Sequence, residues 1–130
     1  MTPMNLLEEI AAHLEWCGLG SLASAEEDGD IHWARMPDSP DECTCVFSTD
    51  SGFGGPDSTA RFQIMTRSRN TRRAYEISYA IGQELAGYDG FLAGDGRMVH
   101  IEVVNAATGI GADTKKRELY VTNITVRYCN

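Results

Sequence analysis

Apolar residues recur along this chain with two different periods. Over residues 4–16, Leu7, Ile10, Ala11 and Leu14 share one helical face while Glu8, Glu9 and Glu15 point elsewhere, which predicts an amphipathic helix. Glu8 and Glu9 stand near its start, where the helix dipole favours negative charge, and Gly18 and Gly20 end it. A second helical stretch opens at Asn70 or Thr71, either of which suits an N-cap. It runs to Leu85 with Ala74, Ile77, Ser78, Ile81 and Leu85 in one stripe and Arg72, Arg73, Glu76, Gln83 and Glu84 on the wet side. Gly87 follows as a C-cap.

Between and after these helices the period shortens to two. Residues 31–36 predict a strand that Pro37-Asp38-Ser39-Pro40-Asp41 breaks, and 43–48 predict a second, centred on Val46 and Phe47. Residues 61–67 alternate Phe62, Ile64 and Thr66 against Gln63, Met65 and Arg67. Residues 98–104 and 119–128 predict two more strands. Residues 26–30 read as an acidic turn, Gly94-Asp95-Gly96 as another, 49–58 as irregular, and 109–117 as a mobile, charged loop. The sum is an α+β fold: a mixed, mainly antiparallel sheet of about five strands with two helices packed on it, in a single domain spanning residues 1–130.

Composition fits such a domain, with 42% hydrophobic and 23% charged residues. No apolar run approaches the roughly 20 residues that cross a bilayer. The first residues carry acids where a secretion signal would be apolar, so the expectation is a soluble protein made in the cytosol. Its cysteines, Cys17, Cys43, Cys45 and Cys129, are then expected to be free thiols. Cys43 and Cys45 share a strand face and are poorly placed to bond each other.

Charge changes the picture more. The formal net charge is −8, but residues 1–60 hold twelve acidic side chains against one basic, Arg35, while residues 61–130 hold seven against ten. The acidic half speaks against a general nucleic-acid binder. Two readings of the asymmetry stay open: unlike faces that steer copies or neighbours together, or a fold that mixes the charges.

Candidate chemistry is sparse. Gly52-Phe53-Gly54-Gly55 lacks the Gly-Lys-Ser/Thr of a phosphate loop, and Gly18-Leu19-Gly20-Ser21-Leu22-Ala23 follows a helix where a dinucleotide fingerprint follows a strand. His32, Cys43 and Cys45 can meet on adjacent strands, but no CxxC pair or HExxH accompanies them. His13 and Cys17 lie at i, i+4 on one helix, yet acidic surroundings disfavour a reactive thiolate. A core cysteine beside a surface histidine is the plainer reading. The densest positive feature is Arg67, Arg69, Arg72 and Arg73, at the end of a strand and the start of a helix. Arginine suits carboxylate pairing across interfaces. A solvated face is the alternative.

The layout carries a resemblance. A leading helix precedes a strand ending in Met36-Pro37, and Cys43-Thr44-Cys45-Val46-Phe47 leads to a glycine-rich loop. Phe62-Gln63-Ile64-Met65-Thr66-Arg67 then runs into Thr71-Arg72-Arg73-Ala74-Tyr75-Glu76-Ile77. Ile110-Gly111-Ala112-Asp113 opens a stretch closing with Tyr120-Val121-Thr122-Asn123-Ile124-Thr125-Val126. This resembles the minor capsid proteins of tailed bacteriophages, a group similar to the phage tail terminator (tail completion) proteins.

The resemblance implies a structural virion protein of the tail and neck region, assembled in the host bacterial cytoplasm, with no reaction and no cofactor. It implies a hexameric ring at the head-proximal end of the tail that ends tube polymerisation and joins tail to head. The implied partners are further copies of itself, the major tail tube protein and a head-closure or neck protein. Neither a membrane nor specific nucleic-acid binding is implied, although DNA passes through such a ring. By the same analogy Arg67, Arg69, Arg72, Arg73, Asp113, Lys115, Lys116 and Arg117 are expected at subunit or tail-tube contacts, and residues 51–58 and 109–117 against neighbours. Two alternatives stand beside it: a small metal-binding or enzymatic domain using His32, Cys43 and Cys45, and a monomeric binding module for acidic ligands.

Overall fold

Both helices form where the apolar stripes place them. In the computed structural model, which describes residues 5–24, 28–49 and 59–128, α1 spans Leu6–Trp16 and α2 spans Thr71–Leu85. Asn5 caps α1, its Oδ1 accepting from Glu8 N at 2.8 Å, and Asn70 caps α2 by accepting from Arg73 N at 3.1 Å. Each ends near a glycine in the left-handed region, Gly18 (φ 82°) and Gly87 (φ 69°), where a Cβ would add strain.

The sheet has six strands: β1 (Ile31–Trp33), β2 (Cys43–Ser48), β3 (Thr59–Ser68), β4 (Asp89–Phe91), β5 (Met98–Ala112) and β6 (Glu118–Tyr128). Their order is β1-β2-β3-β6-β5-β4. All neighbours are antiparallel except β1 and β2, which pair in parallel with Ile31 beside Thr44. The α+β class and the mixed sheet are as expected; the strand count is six, not about five. The extra strand, β4, is three residues with a glycine at its centre, too short to show alternation.

Two strand ends also depart from expectation. β1 stops at Trp33, because Ala34 turns to φ 67°. β5 runs on to Ala112, through the stretch expected to be a loop. It absorbs the glycines there with register shifts between Val103 and Asn105, Asn105 and Thr108, and Gly109 and Gly111. The remaining 113–117 form a tight turn in which Asp113 Oδ1 accepts from the backbone N–H groups of Lys115 (2.9 Å) and Arg117 (3.0 Å). The expected 51–58 contact segment, the glycine-rich run 52–55 and Cys129 lie outside the described residues.

One sheet face is the core face. Ala60, Phe62 and Ile64 of β3 stand in register with Val126, Ile124 and Thr122 of β6, and Ile101 of β5 pairs with Val126. Against them pack Leu6, Leu7, Ile10, Ala11 and Leu14 of α1 and Ile81 and Leu85 of α2. Burying a side chain such as Leu14 or Ile81 contributes on the order of 1.5–3 kcal/mol. α2 settles closely on the sheet through Ser78, whose hydroxyl lies 3.1 Å from that of Thr122. On the opposite face Gln63, Asn123 and Asn105 form a row of amides, with Gln63 Nε2 donating to Asn123 Oδ1 at 3.4 Å and Asn123 Nδ2 to Asn105 Oδ1 at 2.8 Å. No helix among the described residues is long and apolar enough to cross a membrane.

Candidate functional site

Three stretches of chain converge at one end of the sheet: residues 37–42 ahead of β2, the end of β3 with the start of α2, and the β5–β6 turn. Alternation along β3 turns Arg67 away from the core face, and residues 37–42 cover it, leaving it 4% exposed. Its guanidinium donates to Pro40 O at 2.7 Å and Asp41 O at 3.0 Å. Arg117 comes from the hairpin side, with its side chain 5% exposed. It donates to Asp113 Oδ2 at 2.8 Å, Asp38 O at 2.6 Å, Asp38 Oδ1 at 3.1 Å and Asp41 Oδ1 at 3.3 Å. The fork of five N–H donors on arginine suits such a many-sided clasp.

The outer layer of the cluster is ionic as well. Arg69 Nε meets Asp41 Oδ2 at 2.7 Å, and its Nη1 donates to Lys115 O at 3.2 Å. Lys115 Nζ pairs with Asp38. Arg73 Nε reaches both Glu42 oxygens, at 3.1 and 3.2 Å. The Lys115 and Arg117 side chains hold the Asp38 carboxyl below the usual carboxylate range, and Arg69 does the same for Asp41. Asp113 is lowered first by the Arg117 backbone N–H and then by its side chain. Burial opposes the Arg117 charge, but Asp113 and Asp38 more than offset it, and its pKa rises.

The structure thus brings Arg67, Arg69, Arg73, Asp113, Lys115 and Arg117 together. Arg72 and Lys116 stand outside the network: Arg72 is 87% exposed and, among the described residues, pairs with Glu76 at 3.5 Å, and Lys116 sits exposed on the turn at φ 60°. At this end the fold mixes the charges of the two sequence halves. The partners that sequence reasoning missed are Asp38, Asp41 and Glu42. Their signal was present in the acid-rich segment 38–42, which reads simply as a strand breaker.

Two exposed apolar patches lie elsewhere. On α2, Tyr75 stacks on Tyr79 and meets Tyr120 of β6 edge-on, with centroids 5.9 Å apart in both pairs. Gly109 lies opposite Tyr120, and a Cβ there would stand 3.3 Å from the ring. In the second patch Phe91 of β4 pairs with Met98 of β5, both about half exposed. Trp16, exposed at the end of α1, has its ring against Gly94.

The other candidates resolve into structural contacts. His13 is fully buried, which corrects the surface placement expected for it, and Cys17 is half-buried. His13 Nδ1 accepts from Ala93 N at 2.9 Å, and its Nε2 lies 3.5 Å from Cys17 Sγ. Burial lowers the His13 pKa; burial, then the Glu84 charge, raises that of Cys17, so the pair is neutral rather than nucleophilic. His32 stands beside Cys45 across β1 and β2, but its Nε2 is 2.9 Å from Gly29 O. The Cys45 thiol is pushed up to about 12, chiefly by burial, and burial raises Cys43 too. Among the described residues no three His, Cys, Asp or Glu side chains converge to hold a metal ion. An open cleft of about 900 Å³ borders His32, Trp33, Glu8 and Asp28.

The site is thus an ionic corner of five cationic side chains and four carboxylates at one end of a helix-backed sheet. The chain belongs to a family described as bacteriophage tail terminator protein, whose profile matches residues 19–130. The matched region takes in all six strands and α2, and α1 precedes it. As a member of that family it is a structural component of the phage tail. A search of curated proteins finds no match.

Proposed function

We propose that this protein forms a closed ring at the head-proximal end of the phage tail, stops addition of tube subunits and joins the tail to the head. The family match over residues 19–130 carries the reading. The surfaces support it: a ring built from head-to-tail contacts needs two unlike faces on each subunit, and the Tyr75–Tyr79 patch and the ionic corner differ in kind. The partners are copies of this chain, the major tail tube protein and a head-closure protein. DNA passes through the hole without sequence-specific contact. Assembly takes place in the host bacterial cytoplasm, and the reading calls for neither a catalytic step nor a cofactor.

Within the arginine-rich end the roles divide. Arg67 and Arg117 hold the corner together, with Asp113 fixing the turn, and Arg69, Arg73 and Lys115 neutralise its acids. Arg72 and Lys116 are the cations offered outward to a neighbouring subunit or the tube. The test is negative-stain microscopy with light scattering over a concentration series. Rings with a hole wide enough for duplex DNA are expected, and Arg72→Glu with Lys116→Glu should weaken assembly without altering the fold. A strict monomer at high concentration in both low and high salt overturns the ring. A fully assembled double variant removes these two cations from the contact.

A further inference from the structure

We propose that the outer edge of β5 over residues 103–112 is a strand-addition site for a second copy of this chain, an inference that rests on the ring reading above. β5 is fifteen residues long, yet its outer neighbour β4 pairs only with Met98, Val99 and His100. The next outward groups belong to Ile101, whose N–H donates to Tyr88 O at 2.9 Å and whose carbonyl accepts from Gly87 N at 3.1 Å. Beyond Ile101 no described strand runs along that edge. The backbone groups there that point away from β6 have no partner strand among the described residues, the arrangement that invites an added strand.

The chemistry of this edge points to a copy of the chain itself. Proteins commonly guard a long edge with lysine or other charge. Residues 103–112 carry no charged side chain, in a chain whose net charge is −8. Copies of like net charge repel at a distance, so a self-contact needs a strip free of acid, and this edge supplies one. Val104 is 69% exposed and Ile110 51%. On the inner side of this strand Gly109 lies opposite Tyr120 of β6, which meets Tyr75 of α2 edge-on.

The register shifts define the geometry of the contact. With Ala107 at φ 50° and Gly111 at φ 105°, the edge is bent rather than flat. A bent edge rejects indiscriminate pairing with flat strands and accepts a partner of matching curve. A rotation between successive subunits is what closes a ring instead of a fibre.

The test is hydrogen exchange on the full chain across the concentration series, with Val104→Lys/Ile110→Lys alongside and Thr108→Lys as a second probe of the same edge. In assembled wild type the amides of 103–112 should exchange at least about tenfold more slowly than in the monomer. The double variant should stay monomeric at concentrations where wild type assembles, with its melting temperature unchanged. Rings whose 103–112 amides exchange at the monomer rate, or lysine variants that assemble as wild type does, overturn this edge and leave the ring intact. Slowing only on addition of tail tube protein overturns the second copy in favour of that partner. Wild type that remains monomeric throughout overturns the ring and this inference together.

Discussion

Gly82 of α2 rests directly on Ala106 of β5: a Cβ at position 82 would stand 2.9 Å from the Ala106 methyl carbon. This contact sets how closely the helix approaches the bulged part of the strand. Gly82→Ala gains about 1 kcal/mol of helix propensity but forces the helix off the strand, which typically costs about 1–3 kcal/mol. The expected net effect is a destabilisation of about 1 kcal/mol in urea denaturation. Ala106→Gly in the same chain should restore part of it, and a double-mutant cycle reads the coupling.

Ser78 and Thr122 share a buried hydroxyl pair, and Thr122 Oγ1 also lies 3.3 Å from Ala107 N and from Ser78 O. Thr122→Val keeps the shape and removes the acceptor for both Ala107 N–H and the Ser78 hydroxyl. A loss of about 1–3 kcal/mol is expected from leaving buried polar groups unmatched. Thr122→Ser, which keeps the oxygen, should cost less, and thermal or chemical denaturation separates the two.

The ionic corner predicts a contrast between two arginines. Arg117→Ala removes the clasp that joins Asp38, Asp41 and Asp113, and amides in the 113–117 turn should exchange about tenfold faster or more. Arg72→Ala removes only an exposed i, i+4 pair, so its effect on stability should stay within about 0.5 kcal/mol. Equal effects would contradict the division of roles drawn above.

How much of this was readable beforehand depended on length and on locality. α2 was legible because fifteen residues keep one period and Asn70 marks the start. β2 was legible to its ends. The last eight residues of β5 were not, because bulges around Asn105, Thr108 and Gly109 scramble alternation and the glycines resemble loop residues. The parallel pairing of β1 with β2 leaves no local mark. The ionic corner joins Arg67 to Pro40 and Arg117 to Asp38 across long stretches of chain. Residue types therefore announced the charges but not their partners.

pH should act on the protein in two opposed ways near neutrality and in a third in acid. The lowered His13 pKa means the fold prefers the neutral ring that accepts from Ala93 N; its contribution is complete above about 6.5, the unfolded value, and is lost as pH falls through the folded pKa. His100 is raised, chiefly by its hydrogen bond to Asp89, so its contribution is complete below the unfolded value and lost as pH rises through the folded one. The lowered carboxyls of Asp38, Asp41 and Asp113 contribute above about pH 4 and lose that contribution as pH falls further. Melting temperature measured from pH 3 to 8 should therefore fall steeply below about 4. His13→Gln should flatten the limb just below about 6.5.

The start of α2 has a consequence of its own. The first turn of this helix holds no acid and two arginines, the reverse of what its dipole favours. The missing anion is Glu42, thirty-one positions back along the chain, gripped by Arg73 through both oxygens. The helix is therefore not electrostatically self-sufficient. Whatever pulls the 37–42 segment aside, a docking neighbour included, also strips Arg73 of its counter-charge and frays the leading turn of the helix. A disturbance at the ionic corner would in this way be felt along α2, as far as Tyr75 and Tyr79, about one and two turns on.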